Sequence, residues 1–255
     1  MNKEILKKIL IGDGFYSDLK ISKKDLCLFK KEVSNQYLMR IKRIYPDLYK
    51  EAERLQIKNY HLLKNINHNK LWHKKYRCLQ QKSISLIKKT NFFKDLERIF
   101  GKFKLSKVAY DSSFSLKRDE IYWRIVRPNN DNDIGEYHAD KWFHELMNDN
   151  HKAIPKNMIS IKLWLPLVHK LKSNDLLLVP MSHKKNYDYE IIDSPNGKKP
   201  VLKTNLRGRQ MLEKPNTVLI FNENMIHKGS INKDRYTRIS AEITILIKND
   251  IIKLL

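Results

Sequence analysis

Five side chains in three short stretches carry a pattern able to do chemistry. Tyr137-His138-Ala139-Asp140 is a His-x-Asp motif in a stretch that reads as extended. Residues two apart on a strand point to one side, so this imidazole and this carboxylate would aim at one point. His227 comes 89 residues later, in Met225-Ile226-His227-Lys228-Gly229-Ser230, behind the apolar run 218–221. Two donors from one strand end and one from a distant strand fill three facial positions on an ion such as Fe(II). Three positions then stay open for a co-substrate and dioxygen. Arg238-Ile239-Ser240 lies 11 residues beyond His227. On a strand its guanidinium fork and hydroxyl share a face, an arrangement suited to a carboxylate. Each piece alone is common on protein surfaces; the order and spacing of the three make the set specific.

These residues need a rigid β scaffold, and the second part of the chain reads as one. Short, β-branched runs at 108–114, 121–127, 158–167, 176–179, 217–221 and 236–247 are separated by Asn, Asp, Gly and Pro. Alternation on 158–167 sets Lys162, Trp164 and Pro166 on one face and Ile161, Leu163 and Leu165 on the other. The first hundred residues read as helices. Ser22 is placed as an N-cap before Leu26, Phe29, Val33, Tyr37, Ile41 and Ile44, which recur at helical spacing. Further helices are expected over 47–63, over 71–90, and from an Asn91 cap to Gly101. Composition changes near residue 105 without a flexible linker. The expectation is a helical region, 1–105, packed on a β core, 106–255, as one integrated domain of mainly β class, a barrel or double sheet with helices outside.

Composition narrows the function classes. No apolar run approaches the roughly 18 residues that a spanning helix requires. The start lacks the long apolar core and small-residue cleavage site of an export signal. Cys27 and Cys78 sit in no CxxC or Cys/His pattern, which gives a structural zinc site no support. A cytoplasmic location is the expectation. The formal charge is +23, and residues 1–110 hold 27 Lys+Arg against 10 Asp+Glu. Such a field attracts anions, but lysines scattered over helix faces form no stripe, and nucleic acid is not the expected partner. His144-Glu145 lacks the histidine that a zinc-protease helix needs at Asn148, and no phosphate-binding loop or GxSxG elbow occurs. His151 and His169 are expected in solvent-facing loops.

His-x-Asp, then Leu178-Val179-Pro180-Met181-Ser182-His183, then His227-Lys228-Gly229-Ser230-x-Asn232, then Arg238-x-Ser240 is a series that resembles the phytanoyl-CoA dioxygenase family of 2-oxoglutarate-dependent iron oxygenases. The likeness covers roughly residues 120–248. Met181 stands where the family has glycine, a departure that bears on the local turn. The resemblance implies a double-stranded β-helix, or jelly roll. It implies Fe(II) on His138, Asp140 and His227, with 2-oxoglutarate chelating the metal and its distal carboxylate on Arg238 and Ser240. The implied activity consumes dioxygen, releases succinate and CO2, and hydroxylates a small or carrier-linked substrate. Related halogenases carry a small residue where Asp140 stands, so Asp140 implies hydroxylation, or a desaturation or cyclisation begun by the same hydrogen abstraction.

Substrate contacts are expected from Arg127, Trp142, Lys162, Trp164 and His183, with Phe143 beside Trp142. A basic Lys162 or Arg127 in the pocket would suit an anionic substrate. The alternative class is a basic jelly-roll binding protein for nucleic acid or an acidic glycan, without 2-oxoglutarate turnover.

Overall fold

The computed structural model describes residues 1–107, 118–146, 154–155, 157–193 and 198–255. The expected strand over 108–114 and His151 lie outside them.

The chain opens with α1 (Lys3–Leu10) and β1 (Phe15–Lys20), followed by the long α2 (Lys23–Ile44). Ser22 caps α2 as expected, its hydroxyl accepting from the Asp25 amide at 3.0 Å. Leu26, Phe29, Val33, Tyr37 and Ile41 form its buried stripe. Then come α3 (Tyr49–Leu55), α4 (His68–Leu71), α5 (Gln81–Ile87) and α6 (Asn91–Phe100). Thr90, rather than Asn91, caps α6, and Gly101 ends it at φ 72°. The buried carboxylate of Asp25 accepts from the Phe92 amide at 2.9 Å and ties the start of α6 to α2.

Two expected helices are broken up. The 47–63 segment bends at Gln56 and finishes as a 3-10 turn, Ile57–Leu62. The 71–90 segment makes a 3-10 turn at Lys74–Tyr76 and is α-helical only at α5, because 77–79 is drawn out against the sheet. The Gln36 side chain donates to the carbonyls of Tyr76 and Cys78 at 2.9 and 2.8 Å, and Cys78 bridges to Tyr122. These long-range bonds outweigh local helix propensity.

The remaining elements are β2 (Lys104–Leu105), β3 (Ile121–Val126), α7 (Asp140–Glu145), β4 (Met158–Val168), β5 (Leu176–Leu178), β6 (Tyr189–Ile192), β7 (Lys199–Leu202), β8 (Arg209–Gln210), β9 (Thr217–Asn222), β10 (His227–Gly229) and β11 (Arg238–Lys248). A six-stranded antiparallel sheet runs β1-β9-β4-β11, with β2 and β3 pairing successive lengths of β11. A smaller sheet runs β10-β5-β8, and β6 pairs with β7. The sequence reading missed β1, which pairs antiparallel with β9. Its residues Phe-Tyr-Ser-Asp-Leu-Lys alternate too weakly to mark a strand.

Side-chain parity divides the main sheet into two faces. Ile161, Leu163, Leu165 and Leu167 of β4 and Ile239, Ala241, Ile243 and Ile245 of β11 join the helices in one continuous core. Trp164, Leu219 and Phe221 point the other way, into a second cluster with Leu176, Leu178, Leu212 and Met225 of the opposite layer. The polar even-numbered positions of β4 and β11 therefore face the space between the two sheets. Among the described residues, no helix is long and apolar enough to cross a membrane.

Candidate active site

His138 and His227 meet across an isolated antiparallel bridge, exchanging backbone bonds of 3.1 and 2.9 Å. Their rings lie 4.5 Å apart between centroids. Asp140 is the first residue of α7, so the expected all-strand geometry of His-x-Asp is corrected: the bridge ends at His138 and a helix begins two residues later. One donor atom from each of His138, Asp140 and His227 lies within 4.8 Å of the others. The Asp140 Oδ2 to His227 Nε2 distance is 3.8 Å.

Backbone carbonyls set the tautomers. His138 Nδ1 is 2.7 Å from the Glu136 carbonyl and His227 Nδ1 is 2.9 Å from the Met225 carbonyl. Each Nδ1 must donate, so each Nε2 lone pair is left for an ion. Burial, with the neighbouring imidazole, lowers His138 to about 3; burial also lowers His227. Both rings are therefore neutral at ordinary pH. Burial works to raise the Asp140 carboxyl, but the Lys162 ammonium beside it outweighs this and holds the group far below the usual carboxylate range. Two neutral imidazoles and one anionic carboxylate form a donor set that fits a divalent metal with open positions.

A pocket opens beside these three residues. Arg238 lines it, 2% exposed. Its Nη1 donates to the Asn174 and Asp175 carbonyls at 2.8 and 3.3 Å. No described carboxylate forms an ion pair with it, and its buried Nε has no hydrogen-bond partner among the described residues. Burial lowers the guanidinium to about 10, still charged at neutral pH. Ser240 is fully buried two residues along the same face, and its Oγ is also partnerless. A buried cation and a buried hydroxyl left open together cost free energy unless an anion completes them. Gly229 keeps the space open, since a Cβ there would come within 3.0 Å of Arg238 Nη2.

The other expected residues divide. Lys162 and Trp164 line the pocket. Lys162 Nζ sits 3.2 Å from Asp140 Oδ2 and 2.7 Å from Thr244 Oγ1, so it is engaged by a candidate ligand. Arg127 is not among the lining residues. Its guanidinium grips Asp133 with bonds of 2.9 and 2.7 Å, because the loop after β3 folds that acid back under it. Trp142 turns away and stacks on Tyr189 at 4.5 Å, packed near Ile226; Phe143 instead stands edge-on to His138 at 5.2 Å. His183 packs by Gly14 and Met225, outside the pocket. His169 is half-buried against Asp175 and Trp164, not in a solvent-facing loop. Lining residues that the sequence reading did not propose include Glu242 and Phe221. Glu242 has the parity of Arg238 and Ser240, a signal that would have found it, and it pairs with Arg124 at 2.6 Å.

The architecture is the double-stranded β-helix of known oxygenase structures. EvdO2 from Micromonospora carbonacea var. aurantiaca matches with a TM-score of 0.58 and 10% identity, over 97% of this chain and 91% of that one. The apo form of ThoJ, described as a non-heme monooxygenase, matches at 0.54 and 12%, over 92% and 74%. EctD from S. alaskensis, solved with 2-oxoglutarate and 5-hydroxyectoine, matches at 0.51 and 11%, over 92% and 72%. No protein-family model and no curated protein matches the sequence.

Proposed function

We propose that this chain is an Fe(II)- and 2-oxoglutarate-dependent dioxygenase of the phytanoyl-CoA dioxygenase type that hydroxylates a small or carrier-linked molecule. The observation that carries this reading is the meeting of two tautomer-fixed imidazoles and a carboxylate within 4.8 Å, in a pocket whose far wall holds a buried arginine without a carboxylate partner. Bound Fe(II) and 2-oxoglutarate would supply the activation of dioxygen, with succinate and CO2 as by-products. His138, Asp140 and His227 would hold the metal. Arg238 and Ser240 would take the distal carboxylate of 2-oxoglutarate, which satisfies both orphaned groups at once. Lys162 keeps Asp140 anionic and oriented. Phe143 stands against His138 and Phe221 against His227, and with Trp164 on the same pocket wall they keep water from the reacting centre.

Lys162 is bound to Asp140 and Arg127 to Asp133. The two cations behind the expected anionic substrate are thus already engaged, and neither supports a negative charge on the substrate. Free Cys27 and Cys78 suit a reducing compartment, and a cytoplasmic setting belongs to the same proposal.

Purified protein given Fe(II), ascorbate and 2-oxoglutarate should release succinate, and His227→Ala should abolish that release. Succinate formation that survives the loss of His227 would sink the assignment. Salt-sensitive binding of nucleic acid or an acidic glycan by protein that never turns over 2-oxoglutarate would favour a basic binding module instead.

A further inference from the structure

Behind the main sheet, on the face turned away from the metal pocket, lies a larger cavity of about 390 Å³. It opens between α2, the turn after α3 and the ends of β4 and β11. Val33, Ile57, Leu167, Val168 and Ile239 give it apolar walls. Tyr37 also lines it, wholly buried, and its hydroxyl has no hydrogen-bond partner among the described residues. A buried donor left open in an apolar wall is costly unless a ligand accepts from it. Two lysines, Lys30 and Lys58, border the same space. Among the described lining residues the one acid is Glu53, which already accepts from the Tyr49 hydroxyl at 3.2 Å. Gln56, also on the wall, holds φ 59° and ψ 163°, a backbone region that strains any residue except glycine. Strain of that kind clusters at ligand clamps.

We propose that this cavity is a second binding site, for a medium-chain fatty carboxylate. The alkyl chain lies against Val33, Leu167 and Ile239, and the carboxylate accepts from Tyr37 and faces the two lysine ammoniums. The volume falls in the range usual for small-molecule sites, about 300–1,000 Å³. Apolar walls with a few polar groups at one place are what an amphiphile needs. Ligand held here bears on β11 directly. Ile239 is the residue between Arg238 and Ser240, and the pairing of β11 with β4 shifts register at that point. The Lys58 carbonyl accepts from the Thr237 amide at 2.7 Å, and His61 Nδ1 lies 2.9 Å from Thr237 Oγ1. Occupancy therefore braces the segment that leads into Arg238. Binding itself does not depend on the dioxygenase reading.

Calorimetric titration of the metal-free protein with decanoate tests this, with decanol and decylammonium as probes of the head group. Decanoate should bind saturably at one site, at least tenfold more tightly than decylammonium. Val33→Trp, which fills the cavity, should remove that binding while circular dichroism stays native. Lys30→Ala/Lys58→Ala leaves the walls intact; it should weaken decanoate at least tenfold and decanol less than twofold. Decanoate should also slow hydrogen exchange over residues 237–240. The site is refuted by non-saturable uptake, by binding that persists in a folded Val33→Trp protein, or by affinity indifferent to head-group charge. If Val33→Trp fails to fold, the double-lysine variant decides alone: an unchanged decanoate affinity overturns the proposal.

Discussion

At Gly229 a missing side chain decides how the pocket treats an anion. An added methyl would approach Arg238 Nη2 to 3.0 Å and Ile134 Cγ2 to 3.3 Å. Gly229→Ala should displace the guanidinium and raise the 2-oxoglutarate concentration for half-maximal turnover about tenfold, or about 1.4 kcal/mol. Its Fe(II) affinity, measured by equilibrium dialysis, should stay near wild type, because the three donors are untouched. Ser240→Ala makes a complementary case. The hydroxyl has no hydrogen-bond partner among the described residues, so its loss should change unfolding free energy by less than about 0.5 kcal/mol. It should still weaken 2-oxoglutarate measurably in the turnover assay. A large loss of stability with unaltered co-substrate affinity would make Ser240 a structural residue. At this scale the sequence was informative: donor types, order and the pairing of Arg238 with Ser240 could all be read. Glu242 was overlooked although its parity marks it. Arg127 was misplaced because nothing local to a strand announces that an acid six residues on will claim its guanidinium.

Elements fix where those residues point. The turn after β5 places Met181 at φ 61° and ψ 5°, the left-handed region, at the position where the resembled family has glycine. The turn keeps its shape at a steric cost of roughly 1 kcal/mol. Ser182 shows why it is kept: its hydroxyl accepts from the Ile226 amide at 2.8 Å and so anchors the approach to His227. Met181→Gly should raise the free energy of unfolding by about 1 kcal/mol in urea titration, with no change in metal affinity. Strand parity on β4 and β11 was legible because a period of two is a local property. The 71–90 segment was not, since Gln36 on α2 holds its middle extended, and no window of the sequence contains both partners.

For the whole molecule, the helical layer and the β layer share one core, and the loop after β3 is part of the joint. His68 of α4 lies 3.0 Å from the Tyr60 hydroxyl and 3.5 Å from Asp133, the acid held by Arg127. Burial lowers His68 to about 4, against the pull of Asp133, from an ordinary 6.5. Between those values the unfolded chain binds the proton and the folded chain does not. Stability therefore falls as pH drops from 6.5 towards 4, by about 3 kcal/mol from this residue, and is flat above 6.5 on its account. His68→Gln should flatten that part of the curve of unfolding free energy against pH. An unchanged slope would mean that His68 is protonated in the native protein.

The sequence by itself determined which donor atoms were available, on His138, Asp140 and His227, and which side chains share a strand face: Lys162 with Trp164 on one strand, and Arg238 with Ser240 on its neighbour. These follow from side-chain chemistry and from a two-residue period, both local. Only the tertiary structure decided that His138 and His227, 89 residues apart, meet across a backbone bridge, that Lys162 is bound by Asp140, that β1 joins the main sheet, and that a second cavity lies behind Arg238. Each depends on contacts between segments distant in sequence, and their register is set by how the layers pack.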